Sequence, residues 1–226
     1  MKIINYAKQH ISKGDILEVT KVLKSDFLTQ GPISKSFSEK IKSISKAKHC
    51  TLFNSATSAL HGACVALGLD NKSLLWTSAN SFLSSATCGL MCGSKVDFVD
   101  IDVNTFNICP NKLETKLKKS KKKPDVLVVV HFAGLPCEMK SINYLSKKYK
   151  FKIIEDASHA IGSDFMGFPT GSSHFSDITV FSFHPVKIIT TGEGGAALTN
   201  SSLLSKKLDL ISNQGIERNQ TLFKNK

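Results

Sequence analysis

The sequence predicts an α/β fold on a mostly parallel sheet, and three observations carry that reading. Strand-like and helix-like segments alternate along the 226 residues. Val126-Leu127-Val128-Val129-Val130 is an uninterrupted, mostly branched apolar run, as expected for a strand covered on both faces. The alanine- and leucine-rich run 56–67 ends at Gly68, the usual stop signal of a buried helix.

The elements follow in order. Apolar residues at helical spacing predict a helix over 16–23, then an irregular stretch over 25–32 and a helix over 36–45. A short strand over 51–53 leads through Asn54-Ser55 into the helix at 56–67. Strands over 74–77 and 96–100 flank a helix over 81–91. The run 126–130 is followed by a helix over 141–149 and strands over 151–154 and 178–182. Residues 190–195, Thr-Thr-Gly-Glu-Gly-Gly, read as a flexible glycine-rich turn that matches neither the P-loop nor the dinucleotide fingerprint. The chain ends at Thr221-Leu222-Phe223-Lys224-Asn225-Lys226 without a finishing element.

Composition narrows the class. Apolar residues at 41% and charged residues at 21% are globular values, with ample length for a buried core. No apolar run reaches the roughly 18 residues of a membrane span, and the N-terminal Met1-Lys2-Ile3-Ile4-Asn5-Tyr6 lacks a signal-peptide core, so a cytoplasmic protein with no membrane partner is expected. The six cysteines form no C-x-x-C pair; Cys88 and Cys92 are spaced to share a helix face, but no second pair completes a metal site. Reduced, packed thiols and no metal are expected. A net charge of +12 raises a non-catalytic regulatory or nucleic-acid-binding alternative. Much of it, however, lies in Lys112, Lys116, Lys118, Lys119, Lys121, Lys122 and Lys123, just before Pro124. A lysine-rich helix end of that kind is a solvated face, and no nucleic-acid-binding motif accompanies it.

The chemistry-bearing residues fall at strand ends. Lys187 follows Ser182-Phe183-His184-Pro185-Val186, and Asp156 closes the apolar run Phe151-Lys152-Ile153-Ile154-Glu155. A lysine so placed can form a Schiff base with an aldehyde cofactor, and a carboxylate ending a neighbouring strand can keep a pyridinium nitrogen protonated. Taken singly, Asp156 is as readily a helix cap and Lys187 one lysine among many. Asn54-Ser55-Ala56-Thr57 joins a strand to a helix, where free amides, the helix dipole and hydroxyls can hold a phosphate; simple capping by Ser55 and Thr57 is compatible with that. Ser182 is a further phosphate candidate. Phe82 can stack on a planar ring or belong to the core, and His159 can meet a phenolic oxygen or be a buried, satisfied histidine.

In order, these residues resemble the DegT/DnrJ/EryC1/StrS family of sugar aminotransferases. The motifs that carry the resemblance are Ser25-Asp26-Phe27-Leu28-Thr29-Gln30-Gly31-Pro32, Val130-His131-Phe132-Ala133-Gly134-Leu135-Pro136-Cys137, Glu155-Asp156-Ala157-Ser158-His159-Ala160 and the segment from Phe181 to Lys187. The resemblance implies the large domain of the type I (aspartate aminotransferase-like) fold and pyridoxal 5'-phosphate (PLP) as cofactor. It implies Lys187 as the Schiff-base lysine, Asp156 as the pyridinium partner, His159 at the phenolic oxygen and Phe82 as the stacking ring. Ala56, Thr57 and Ser182, with Ser55, are the implied phosphate positions. Related sugar dehydratases carry histidine at the position of Lys187, so lysine implies amino transfer.

Asp97-Phe98-Val99-Asp100-Ile101-Asp102 and residues 182–195 resemble more closely the branch that aminates C4 of a UDP-linked 4-keto-6-deoxy-N-acetylhexosamine in pseudaminic acid biosynthesis, with glutamate as donor. Another nucleotide-linked keto sugar is the alternative acceptor. The implied organisation is an N-terminal helix and arm over 1–30 and a PLP-binding large domain over 31–226. The resemblance also implies a smaller C-terminal domain outside this chain and a homodimer when full length.

Overall fold

The computed structural model describes residues 7–217; the readings for 1–6 and 221–226 lie outside them. Helix α1 (Lys13–Leu23) opens on a capping box, with Ser12 Oγ accepting the Asp15 amide at 3.2 Å and Asp15 Oδ2 accepting the Ser12 amide at 2.7 Å. Its helical apolar spacing is real, but the side chains of Ile16, Leu17, Val19 and Leu23 are exposed. Helix α2 spans Pro32–Ser45, starting four residues before the predicted boundary because Pro32 occupies the first helical position, where a missing N–H costs nothing.

Strand β1 (His49–Phe53) leads into α3 (Ala56–Leu67), which Ser55 caps and Gly68 closes at φ +86°. Next come β2 (Leu74–Ser78), α4 (Ser84–Leu90), β3 (Lys95–Val99) and α5 (Pro110–Lys119). Helix α4 is shorter than the predicted 81–91. Cys92 lies two residues beyond its end, yet the Cys88 and Cys92 side chains both meet Cys64 of α3. The lysines of α5 project outward from the buried Leu113 and Leu117, and two of them pair at 2.6 Å with carboxylates, Lys112 with Asp100 and Lys116 with Asp97. Strand β4 (Val126–Val130), α6 (Met139–Tyr149) and β5 (Lys152–Asp156) follow. A two-residue hairpin, β6 (Asp164–Phe165) and β7 (Phe168–Pro169), precedes β8 (Ile178–Ser182). Strand β9 (Gly195–Thr199) and helix α7 (Ser202–Ser212) occupy sequence in which no element was predicted.

The seven-stranded sheet has the order β1-β9-β8-β5-β4-β2-β3, and β9 alone runs antiparallel to its neighbours. Alternate residues of β4 enter different cores. Val126 and Val128 join α3 and α4, with Leu60, Cys64 and Cys88, whereas Leu127 and Val129 join Leu113, Leu117 and Ile142 of α5 and α6. That two-sided cover is what the uninterrupted apolar run encodes. The same alternation sends Ile154 of β5 and Ile178 and Val180 of β8 toward α3. Asp156, two residues after Ile154, and Ser182, two after Val180, share that face at the carboxyl end of the parallel strands. Among the described residues, no helix is long and apolar enough to cross a membrane.

Candidate active site

Beyond those strand ends lies a cavity of about 290 Å³ lined by Ser55, Ala56, Thr57, Phe82, Asp156, His159, Ser182 and Lys187. The strand-end loops therefore bring every candidate residue to one place, as expected for an open parallel sheet.

Its phosphate-sized corner is the start of α3. Ser55 Oγ accepts the Ser58 amide at 3.1 Å, so that hydroxyl is engaged in capping. The Ala56 and Thr57 amides, at the first two helical positions, have no carbonyl one turn back and face the cavity's end of the helix. Thr57 Oγ1 meets Ser84 Oγ at 2.7 Å, tying α3 to α4. Gly195 makes this corner possible. It pairs with Phe53 in the β1–β9 ladder and passes so close to the start of α3 that a Cβ there would lie 2.5 Å from the Ala56 nitrogen. Of the three glycines in the predicted turn, Gly192 has the positive φ, +81°, that a turn requires, whereas Gly195 is needed for close approach. Gly195→Ala is expected to cost about 1–3 kcal/mol by overpacking and to weaken phosphate binding. Urea denaturation and cofactor titration check this, and wild-type values in both would exclude the close-approach argument.

At the centre, Asp156 is buried and accepts hydrogen bonds from both sides. Ser85 Oγ donates to Oδ2 at 2.6 Å, and the Ser158 hydroxyl and amide donate to Oδ1 at 2.6 and 3.2 Å. Both carboxylate oxygens are thus held by hydrogen bonds. Across from it, Lys187 Nζ donates to His159 Nε2 at 2.6 Å. Burial lowers the Lys187 pKa below the ordinary lysine value, against the opposing pull of Asp156. His159 is likewise lowered, by burial and then by the Lys187 charge, again against Asp156. The pair thus holds a basic amine that gives up its proton more readily than a surface lysine, beside an imidazole that stays neutral. Beneath them Gly134, at φ +88°, runs against the His159 carbonyl, which would sit 2.7 Å from any Cβ at that position.

Phe82 is 74% exposed, so it is a wall of the cavity rather than the core residue that its type alone favours. Sequence reasoning missed Ser85 and Ser158, the partners of Asp156, and Glu193, which lines the same cavity. Ser158 carries a legible signal, because a serine two residues after a strand-ending aspartate can close an Asx-type turn. Ser85 carries none, since one of several serines at the start of α4 is selected only by the packing of that helix on the sheet.

On the opposite face of β5, Glu155 accepts from His131 Nε2 at 2.8 Å, from Thr179 Oγ1 at 3.2 Å and from the Ser176 hydroxyl. Burial alone would raise its pKa, but the His131 donation, helped by Ser176 and Thr179, holds it below the usual value. Because His131 also provides its backbone amide to the Asp156 carbonyl, this network fixes β4 against β5 where Asp156 emerges.

Seven strands with one antiparallel member, helices on both faces and a lysine–histidine–aspartate cluster at the strand ends define the large domain of a type I PLP-dependent transferase. A model of the DegT/DnrJ/EryC1/StrS aminotransferase family matches residues 9–226, and the chain belongs to that family. It is 43% identical over 214 residues to the UDP-4-amino-4,6-dideoxy-N-acetyl-beta-L-altrosamine transaminase of Campylobacter jejuni subsp. jejuni serotype O:23/36 (strain 81-176), an alignment covering 95% of this chain and 56% of that protein. Among solved structures it is similar to Helicobacter pylori PseC, an aminotransferase involved in the biosynthesis of pseudoaminic acid. The TM-score is 0.87 at 34% identity, covering 99% of this chain and 59% of that one. The PLP-form of Streptococcus pneumoniae Spr1654 superposes with a TM-score of 0.84 at 27% identity, covering 92% and 57%. The chain spans a little over half the length of these relatives.

Proposed function

We propose that this chain carries the cofactor half of a PLP-dependent aminotransferase that moves an amino group from glutamate to C4 of a UDP-linked 4-keto-6-deoxy-N-acetylhexosamine, as in pseudaminic acid biosynthesis. The observation that carries the reading is the cluster itself: a half-buried lysine and histidine, both with lowered pKa, and a buried carboxylate with hydrogen bonds to both oxygens, in one cavity with a helix N-terminus. The names of the Campylobacter and Helicobacter relatives support the acceptor.

The residues fit the cofactor on the geometry of the chain. The bare backbone of Gly195 leaves the start of α3 accessible, so the Ala56 and Thr57 amides, with Ser182 alongside, suit a phosphate. Ser55 supports them by holding the helix start. Phe82 offers a flat apolar face for an aromatic ring, His159 a contact for a phenolic oxygen, and Asp156 a negative charge for a ring nitrogen. PLP, when bound, supplies an aldehyde for covalent attachment and a ring that withdraws electrons from the carbon being deprotonated.

Each side chain then has one task. Lys187, whose pKa burial lowers below that of a surface lysine, provides the attachment atom and afterwards moves a proton to and from the reacting carbon. His159 accepts from Lys187 Nζ and keeps it pointed into the cavity. Asp156, held by Ser85 and Ser158, cannot rotate away from the position in which its charge acts. The exposed apolar stripe of α1, continuing into Leu28 and Ile33, supports a homodimeric assembly. The direct test is borohydride reduction of the cofactor-loaded enzyme followed by peptide mapping. The label is expected on Lys187, and a label on any other lysine overturns the assignment.

A further inference from the structure

We infer that a second, open cavity beside the cofactor site, rimmed by Phe106 and Phe132, seats an uncharged ring of the acceptor, its pyranose or its base, and not its diphosphate; the inference rests on the aminotransferase reading above. This cavity, of about 530 Å³, is lined by Ala79, Asn80, Asp100, Ile101, Phe106 and Phe132, and Phe132 also walls the cofactor cavity. A ligand reaching out of the first cavity therefore meets the second across a single aromatic ring.

The walls are built rather than incidental. Phe106 is half exposed and sits at φ +58°, a left-handed conformation that is a genuine outlier for a bulky residue. A tight loop holds it there: the Phe106 amide donates to the Asp102 carbonyl at 2.8 Å, the Asp102 amide to the Asn107 carbonyl at 2.8 Å, and Ile101 and Ile108 pair across the base. Asn107, almost fully buried, then ties this loop to the one bearing Phe132. Its Nδ2 donates to the Leu135 and Pro136 carbonyls at 3.0 and 3.3 Å, and its Oδ1 accepts the Phe132 amide at 2.9 Å. The result is two aromatic rings fixed with centroids 6.0 Å apart and planes inclined at 46°. Ordering an exposed ring on strained backbone beside a second, partly buried ring suits the pair to receive a ring-shaped ligand.

Charge selects the kind of ring. The ionisable side chain lining the cavity is the Asp100 carboxylate. The neighbouring cation, Lys112, is committed to Asp100 at 2.6 Å and to the Ile101 carbonyl at 3.0 Å. A diphosphate would meet a carboxylate and no free cation, which is unfavourable. An uncharged ring gains an aromatic face from Phe106 or Phe132, and its hydroxyls or ring N–H can donate to the lone pairs of Asp100 that the Ile101 amide and Lys112 leave open.

The test is made on the cofactor-loaded enzyme by calorimetric titration with UDP-N-acetylglucosamine and with UDP alone. Phe106→Asn removes the ring while supplying a residue that tolerates the left-handed conformation. It is expected to weaken UDP-N-acetylglucosamine binding about tenfold, in the range of losing one stacked ring. Phe106→Tyr, which keeps the ring, is expected to stay near wild type. Equal weakening of UDP alone assigns the cavity to the base; unchanged UDP binding assigns it to the pyranose. Unchanged binding of both probes to Phe106→Asn overturns the inference. The spectral change produced by glutamate involves the cofactor cavity and not Phe106, so its absence from the wild type would sink the aminotransferase reading separately.

Discussion

Lys187→Ala is expected to lower amino transfer by about 10⁴-fold, the upper end of what a positioned acid–base group contributes. The size follows from two losses at one atom. Nζ is the attachment point for an aldehyde, and in the cavity it is the amine that burial leaves readiest to give up its proton. The His159 imidazole, 2.6 Å away, is no substitute, because it is lowered in basicity by the same burial and is held at the wrong end of the contact. Lys187→Arg is expected to be equally inactive, since a guanidinium does not deprotonate and cannot form the covalent link. Both variants should still bind PLP through the α3 amides, Ser182 and Asp156, but without the visible absorbance of the covalently attached form. Turnover within about tenfold of the wild type in either variant would show that Lys187 does not carry the proton-transfer role.

The lysine and its aspartate were legible in the sequence because each follows a strand that is itself unmistakable. The apolar run before Asp156 and the run Ile178-Thr179-Val180-Phe181 announce strands, and a polar residue at the carboxyl end of a buried parallel strand has few structural reasons to be there. The helix from Ala56 to Leu67 was equally clear, as its cap and its glycine stop are local features. What escaped was set by packing. Strand β9 is Gly-Ala-Ala-Leu-Thr, of which only Thr199 favours a strand by its own propensity. It forms a strand because β1 and β8 offer it ladders on both sides and because only small residues fit against α3. Its first residue, Gly195, read as part of a flexible turn, yet it is pressed against the helix start that it shapes. Helix α4 begins later than its composition suggests, with Phe82 left exposed as a wall of the cavity and Leu83 exposed as the helix N-cap.

The alternation along β5 explains how one strand serves both rigidity and chemistry. Glu155 and Asp156 are adjacent carboxylates pointing to opposite faces, and each is buried with a full set of donors. Glu155 faces His131 and the hydroxyls of Thr179 and Ser176, on the face of the strand away from the cavity. Asp156 faces the cavity, and its donors are hydroxyls and one amide rather than cations. No cationic side chain is hydrogen-bonded to it among the described residues, so the carboxylate stays open toward a cationic ring.

Asp156→Asn is expected to leave the fold almost intact and to slow both the glutamate half-reaction and the acceptor half-reaction by about 10²-fold or more, as when a preorganised charge is removed from an active site. The fold survives because the hydrogen bonds can be rebuilt. The Ser158 amide is a fixed donor at 3.2 Å, so the amide oxygen of asparagine must take the Oδ1 position. Its NH₂ then faces Ser85, whose hydroxyl rotates to accept where it had donated at 2.6 Å. The stability change should stay near the worth of one hydrogen bond, about 1 kcal/mol. Chemistry suffers because the neutral side chain no longer favours a protonated ring nitrogen, and with it the electron withdrawal on which both proton transfers depend. Slowing both half-reactions is the signature, because a defect confined to one substrate's binding would slow only one. Stopped-flow measurement of each half-reaction, beside a cofactor titration showing normal occupancy, makes the distinction. Wild-type rates in both half-reactions at full occupancy would remove Asp156 from the chemistry.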